Sequence, residues 1–328
     1  MLRNRKLWVS LGLIAGTIIA FRLFLNHFNW VLFFSSLSDL RPGWLGISVV
    51  LSLLTYLIRV GRWKVLLAPV KEIPLARLFW ATIVGFSAIY LLGRVAELGR
   101  PLWLMRQEKV PLSASIATVV VERFLDAIML VAVFGWAMMV IEVPEDSVVL
   151  LAELKRAAWL IAGTALVALM FLFVLRSHVD WVSRLIRHIR FPTISRLTET
   201  FAQGLGFLDK TPSLAAVMIH SVALWILMAL QSWSMFFGMD LEFSFGAATL
   251  VMVAAAIGSI VQVPGIGGGF QIAWAFCLVE LFGVGREQAV ASALIAFVFS
   301  YGPTIVVGGL YVLAQGISMS DFKTASHA

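Results

Sequence analysis

Residues Gly93–Gln107, GRVAELGRPLWLMRQ, place Arg94, Glu97 and Arg100 between two long apolar runs, where a bilayer interior tolerates few charges. A second Gly/Pro-rich interruption, VPGIGGGFQ at Val263–Gln271, sits between apolar runs in the other half of the chain. Backbone broken at membrane depth leaves N–H and C=O groups unpaired. It is tolerated only inside protein or against a water-filled cavity. Two such breaks therefore constrain everything around them.

The rest of the chain is built to enclose them. Of its 328 residues, 61% are hydrophobic and 13% charged, against about 45–50% and about 25% in soluble domains. The repeated apolar runs imply an all-α, polytopic helical membrane protein. No stretch is polar enough for a separate soluble domain, so residues 1–328 read as a single transmembrane domain. The net charge of +7 is gathered in particular loops, which favours an orientation signal over nucleic-acid binding. The single cysteine, Cys277, lies in an apolar run, which excludes an intrachain disulfide framework and a cysteine-based metal site.

Charge decides the topology. Arg3, Arg5 and Lys6 precede Leu7–Leu25, which reads as a retained first transmembrane helix rather than a cleaved leader. Phe28–Leu40 reads as an interfacial piece. Trp44–Ile58 crosses and runs into Arg59, Arg62, Lys64, Lys71 and Arg77, a cluster that the positive-inside rule assigns to the cytoplasm with the N-terminus. Ala157–Leu175 is a further span. The segment 176–200, rich in Arg and His, reads as a basic amphipathic helix on the cytoplasmic leaflet, with a solvated linker as the alternative. If Leu78–Leu92 crossed fully and Ser115–Ile141 returned, Glu142, Glu145, Asp146 and Glu153 would be cytoplasmic and the Arg-rich segment external. A re-entrant hairpin that breaks at Gly93 and returns through Pro101–Val110 puts every loop charge on its expected side. Pro212–Phe237 then crosses outward, Phe245–Val263 dips in and returns through Phe270–Phe282, and Ala289–Leu313 leads to a cytoplasmic tail. The stretches 43–141 and 212–314 share one order of parts and enter from opposite sides. They read as inverted repeats, each a Gly/Pro-broken hairpin followed by a long transmembrane helix.

The candidate binding residues follow from this placement. Arg94 and Arg100 flank the first break and suit a phosphate through charge-assisted hydrogen bonds. Glu97, about one helical turn from each, orients them or partly neutralises them. Glu122 and Asp126 share one helix face with Arg123 beside it, so these charges point into the bundle, as ligand site or as structural glue. In the second break only Gln271 is polar. Gly93, Pro264, Gly265, Gly267, Gly268 and Gly269 are the hinge and backbone-donor positions. The five histidines are scattered without metal-ligand spacing, and no metal or cofactor site and no catalytic motif appears.

The run GRVAELGRPLWLMRQEKVPLSASIATVVVERFLD resembles the first motif of the flippase-like integral membrane family, named after the transmembrane region of lysylphosphatidylglycerol synthases. The matching positions are Glu97, Arg100, Ser113 or Ser115, and Glu122, Arg123 and Asp126. VPGIGGGFQ, followed by Gly283 and the last long helix, resembles the second motif. The chain departs from the pattern at Gly93, Ala96 and Gln271, where many members carry Pro, Gly and Glu, and Gln271 makes proton coupling through that site doubtful. The resemblance implies a multi-pass protein that handles anionic or isoprenoid lipids; it does not imply aminoacyl transfer, because the soluble synthase domain of the namesake enzymes is missing from this sequence. The expected function is movement of an anionic or polyprenyl-type lipid across the cytoplasmic membrane. A lipid-binding accessory subunit of a partner enzyme, a homo-oligomer, or an intramembrane lipid-phosphate-dependent transferase are the other readings that the residues leave open.

Overall fold

In a computed structural model, residues 28–141, 211–260, 262–263 and 267–315 are described, with scattered positions between 152 and 206. The expected first span at Leu7–Leu25 and the basic segment 176–200 lie outside these residues. The described chain is almost wholly helical. Its elements are α1 (Trp30–Ser35), α2 (Pro42–Leu67), α3 (Leu75–Leu92), a 3₁₀ turn (Arg94–Leu98), α4 (Gly99–Glu108), α5 (Leu112–Val140), α6 (Thr211–Gly238), α7 (Phe245–Gly258), β1 (Gln262–Val263), β2 (Gly267–Gly268), α8 (Gly269–Phe282) and α9 (Arg286–Ala314).

Local chemistry sets these boundaries. Pro42 opens α2 at a position whose N–H would be unpaired anyway. Asn29 caps α1 by accepting hydrogen bonds from the N–H groups of Val31 and Leu32, and Ser244 caps α7 by accepting from Ala247. At the end of α3, Gly93 has φ 80° and ψ −174°, a conformation that a side chain would oppose. Pro111 then occupies the N-cap of α5, two residues after Lys109 turns left-handed.

Three described helices are long and apolar enough to cross a bilayer: Pro42–Leu67, Pro212–Gly238 and Arg286–Ala314. α5 has comparable length but carries Glu122, Arg123 and Asp126. Their outward faces expose Leu57, Ile226, Val298 and Leu310, as a lipid-facing surface requires. Between helices, where lipid offers no hydrophobic drive to associate, small residues let backbones approach. Gly61 packs against His220, Gly238 against Leu45, and Gly308 against Ser87.

α2 and α6 form the central pair and run antiparallel. Arg41 at the start of α2 pairs with Asp240 just past α6, while Arg62 near the end of α2 donates to Ser221 Oγ near the start of α6 at 3.2 Å. α3 and α9 are also antiparallel: Trp80 stacks on Tyr311 with ring centroids 4.0 Å apart, Ser87 donates to the Thr304 carbonyl at 2.7 Å, and Tyr90 packs on Tyr301 at 4.2 Å. In the other half, α7 packs on α5, with Gly246 against Val140.

The two hairpins open at opposite ends of this bundle. Glu108 at the end of α4 meets Arg77 in the first turn of α3 at 2.5 Å, and its carbonyl accepts from Lys71, so α3 and α4 start and finish together. Phe243 before α7 packs on Phe282 at the end of α8 with centroids 5.1 Å apart. That end also carries Arg41 and Asp240, and Glu287 accepts there from the Asn29 N–H.

Two sequence expectations need correction. The first crossing does not stop at Ile58: α2 continues to Leu67, so Arg59 and Arg62 belong to the helix and not to a loop. Helix can persist through these charges because neighbouring helices cover them and, for Arg62, supply carboxylates. The second apolar segment ends as helix at Gly258, short of Val263. The chain then forms a two-residue antiparallel pairing, Gln262 with Gly268 and Val263 with Gly267. This ladder satisfies backbone groups that a broken helix would orphan.

Candidate functional site

The first hairpin brings a set of charges into the bundle. α4 carries Arg100, 1% exposed, against α5, where its Nη2 donates to Glu122 Oε2 at 2.7 Å. On α2, Arg62 is equally buried and donates to Asp126 Oδ1 at 2.7 Å. Arg62 Nε faces Glu122 Oε1 at 4.0 Å, close enough to attract but too far for a hydrogen bond. Arg123 completes the set, 2.5 Å from Glu97 Oε1 in the 3₁₀ turn and 3.3 Å from Asp126 Oδ2. Three arginines thus face three carboxylates, and the charges cancel. The Arg100 guanidinium also lies over the rings of Trp63 and Phe86, at 4.9 and 5.0 Å from their centroids. Burial grades across the network: the side chains of Arg62, Arg100 and Glu122 are covered, whereas those of Arg123, Glu97 and Asp126 are 33%, 24% and 16% exposed.

Glu97, Arg100, Glu122, Arg123 and Asp126 therefore come together. Arg94 opens the 3₁₀ turn beside them, and its side chain lies outside the described residues. Gln271 belongs to the other hairpin, where its Oε1 accepts from the Gly268 N–H at 2.8 Å and fixes the start of α8. Gly267 and Gly268 form β2, Gly269 begins α8, and Pro264 and Gly265 are outside the described residues.

Where the hairpin tips approach one another, a cavity of about 60 Å³ opens at the middle of the bundle. Its walls include Tyr56, Arg59, Tyr90, Phe270, Trp274 and Tyr301. Tyr90 stands three residues before Gly93, and Phe270 directly follows Gly269. Both rings pack on Tyr301 of α9, at 4.2 and 5.2 Å. The Tyr56 and Tyr90 hydroxyls share a 2.8 Å hydrogen bond.

The profile of the lysylphosphatidylglycerol synthase TM region family matches residues 7–308. The chain belongs to this family. Neither a curated protein nor a solved structure matches it. As a member of the lysylphosphatidylglycerol synthase TM region family, it is a membrane-embedded, multi-pass helical protein, and the match spans both hairpins and most of α9.

Sequence reasoning missed Arg62 and the aromatic cavity in this family member. Arg62 had a legible signal: apolar residues resume at Trp63, Val65, Leu66 and Leu67, so the span need not end at Ile58. The cavity had none. Tyr56, Tyr90 and Tyr301 are widely separated in sequence and meet only through the packing of α2, α3 and α9.

Proposed function

We propose that the protein moves an anionic or polyprenyl-type lipid between the leaflets of the cytoplasmic membrane, with both termini in the cytoplasm. The observation that carries this reading is the meeting of two oppositely directed hairpins on one residue, Tyr301. The antiparallel course of α2 and α6 supports two inverted repeats. A two-fold axis in the membrane plane relates such helices, whereas an axis along the membrane normal would leave them parallel. In this arrangement the hairpins re-enter the bilayer from its two sides, and their tips leave a polar interior between them. Hydrocarbon tails remain in the bilayer while the headgroup passes through that interior. Membership of a membrane family is consistent with a lipid as cargo.

Within the charged network, the partly exposed edge formed by Glu97, Arg123 and Asp126 faces the headgroup. The buried part, Arg100, Glu122 and Arg62, positions the first hairpin. Gln271 and the glycines of the second tip supply backbone donors and a turn. Leaflet exchange of fluorescent phosphatidylglycerol in reconstituted vesicles tests this, with wild type beside Arg123→Gln at matched insertion. Exchange reduced several-fold in Arg123→Gln supports the assignment, and equal exchange removes Arg123 from the path. No exchange in wild type favours a second reading, a lipid-binding accessory subunit. The self-neutralised network is the observation that speaks for that alternative, since matched charges can hold a hairpin without meeting a ligand.

A further inference from the structure

Arg59 differs from the arginines of the charged network beside it. Arg62, Arg100 and Arg123 each have a carboxylate within 4.0 Å. Among the described residues Arg59 has none. Its guanidinium lies 5.1 Å over the Phe86 ring and reaches the Met228 sulfur at 3.6 Å. A thioether is a weak acceptor for a group with five N–H donors. With the neighbouring network neutral, Arg59 leaves a net positive charge in the wall of the central cavity. An ionised side chain inside a membrane bundle is costly unless something compensates it.

The cavity suits a compensating anion. By about 10–15 Å³ per water, its ~60 Å³ holds on the order of four waters, enough for a phosphate group. Tyr56, Tyr90, Thr55 and Ser300, all hydroxyl-bearing, line it, and Trp274 and Phe270 give an apolar side for the carbons of an ester. Phe86 touches Arg59 on the cavity side and Arg100 on the network side, so the two groups of charges share one ring. A phosphate ester bound here lies between Tyr90 of the first hairpin and Phe270 of the second. We propose that this cavity is an anion site in which Arg59 holds a phosphate group by charge-assisted hydrogen bonds, the anionic partner it lacks among the described residues. This deepens the lipid-moving reading and rests on it only for the source of the phosphate, a lipid headgroup as opposed to free phosphate.

The test uses the full chain in nanodiscs of equal phosphatidylglycerol and phosphatidylcholine, followed by detergent extraction and mass-spectrometric counting of retained lipid. Wild type retains phosphatidylglycerol in preference. Arg59→Gln loses that preference by roughly tenfold or more, the scale of a charge-assisted bond. Arg59→Lys keeps part of it, and Arg41→Gln, at the exposed end of α2, keeps all of it. Ala256→Phe fills the cavity from α7 without altering Arg59 and has the same effect as Arg59→Gln, which covers the case in which Arg59→Gln fails to fold. Titration of inorganic phosphate against Trp274 fluorescence separates the sources. An Arg59-dependent response to inorganic phosphate without phosphatidylglycerol retention assigns the site to the free ion. Equal retention in wild type, Arg59→Gln and Ala256→Phe, with no response to inorganic phosphate, overturns the site. Leaflet exchange measured on the same proteins reports separately. Exchange with Arg59-independent retention defeats this inference alone, and Arg59-dependent retention without exchange defeats only transport.

Discussion

Replacing Arg100 by Ala is expected to unfold the first hairpin from the bundle more readily than any surface change. Arg100 is 1% exposed and bonded to Glu122, itself 1% exposed, so the substitution leaves a carboxylate buried with its main counter-charge gone. Breaking a buried pair by removing one partner costs about 3–5 kcal/mol. Arg62 at 4.0 Å from Glu122 offsets part of this, which places the effect near the lower bound, while the lost contacts with Trp63 and Phe86 add to it. At about 2 °C per kcal/mol for a chain of this size, melting in detergent should fall by roughly 6–10 °C. The double substitution Arg100→Leu, Glu122→Leu removes both charges and keeps apolar volume, and it should recover at least half of the loss, because buried pairs replaced whole are often neutral. The assay is thermal melting followed by size-exclusion retention. Melting of Arg100→Ala within about a degree of wild type, or a double variant less stable than the single one, would refute the reasoning that this pair is a desolvated ionic contact. The same cost explains why Arg123→Gln, at the partly exposed edge, is the cleaner variant for transport.

Gly258→Ala should destabilise the second hairpin, because a Cβ there falls 2.1 Å from the Gly269 carbonyl oxygen and 2.6 Å from the Ala273 Cβ. Overpacking costs typically about 1–3 kcal/mol, whereas Gly43→Ala, with nothing within 4 Å, should be neutral or slightly stabilising in the same melting assay. At the mouth of the first hairpin, the hydrogen bond from Arg77 holds the Glu108 carboxyl below its usual range. A depressed folded-state pKa means that its stabilisation is complete above about pH 4.3, the unfolded glutamate value, and is lost as pH falls through the lower folded value. Melting temperature should therefore decline over that acid window more in wild type than in Glu108→Gln, by a small amount since Arg77 is largely exposed. Identical acid profiles would remove Glu108 from the hairpin's closure.

The ordered helices were legible because their causes are local. The long apolar run starting at Pro212, and its end before the Asp240 turn, follow from residues next to each other, and α6 spans Thr211–Gly238 as expected within a few positions. The first break was legible for the same reason: Gly93 requires a conformation that other residues resist, and Pro101 fits only an early helical turn. Pairing was less legible. Glu122 and Asp126 could be placed on one face, yet their partner Arg62 lies some sixty residues earlier on a helix that basic residues had made to look finished.

By itself, the sequence determined that this is a helical membrane chain with two glycine-rich interruptions and a charged face on α5. Hydrophobicity, helical period and backbone freedom are properties of neighbouring residues, and they act before any tertiary contact forms. Only the tertiary structure decided which of the described charges cancel, and that Arg59 has no carboxylate within ion-pair distance among the described residues. Ion pairing in a desolvated interior depends on separations of a few ångströms between helices that are distant in the chain. α2 supplies both Arg62, which Asp126 neutralises, and Arg59, which faces the central cavity without a carboxylate beside it among the described residues.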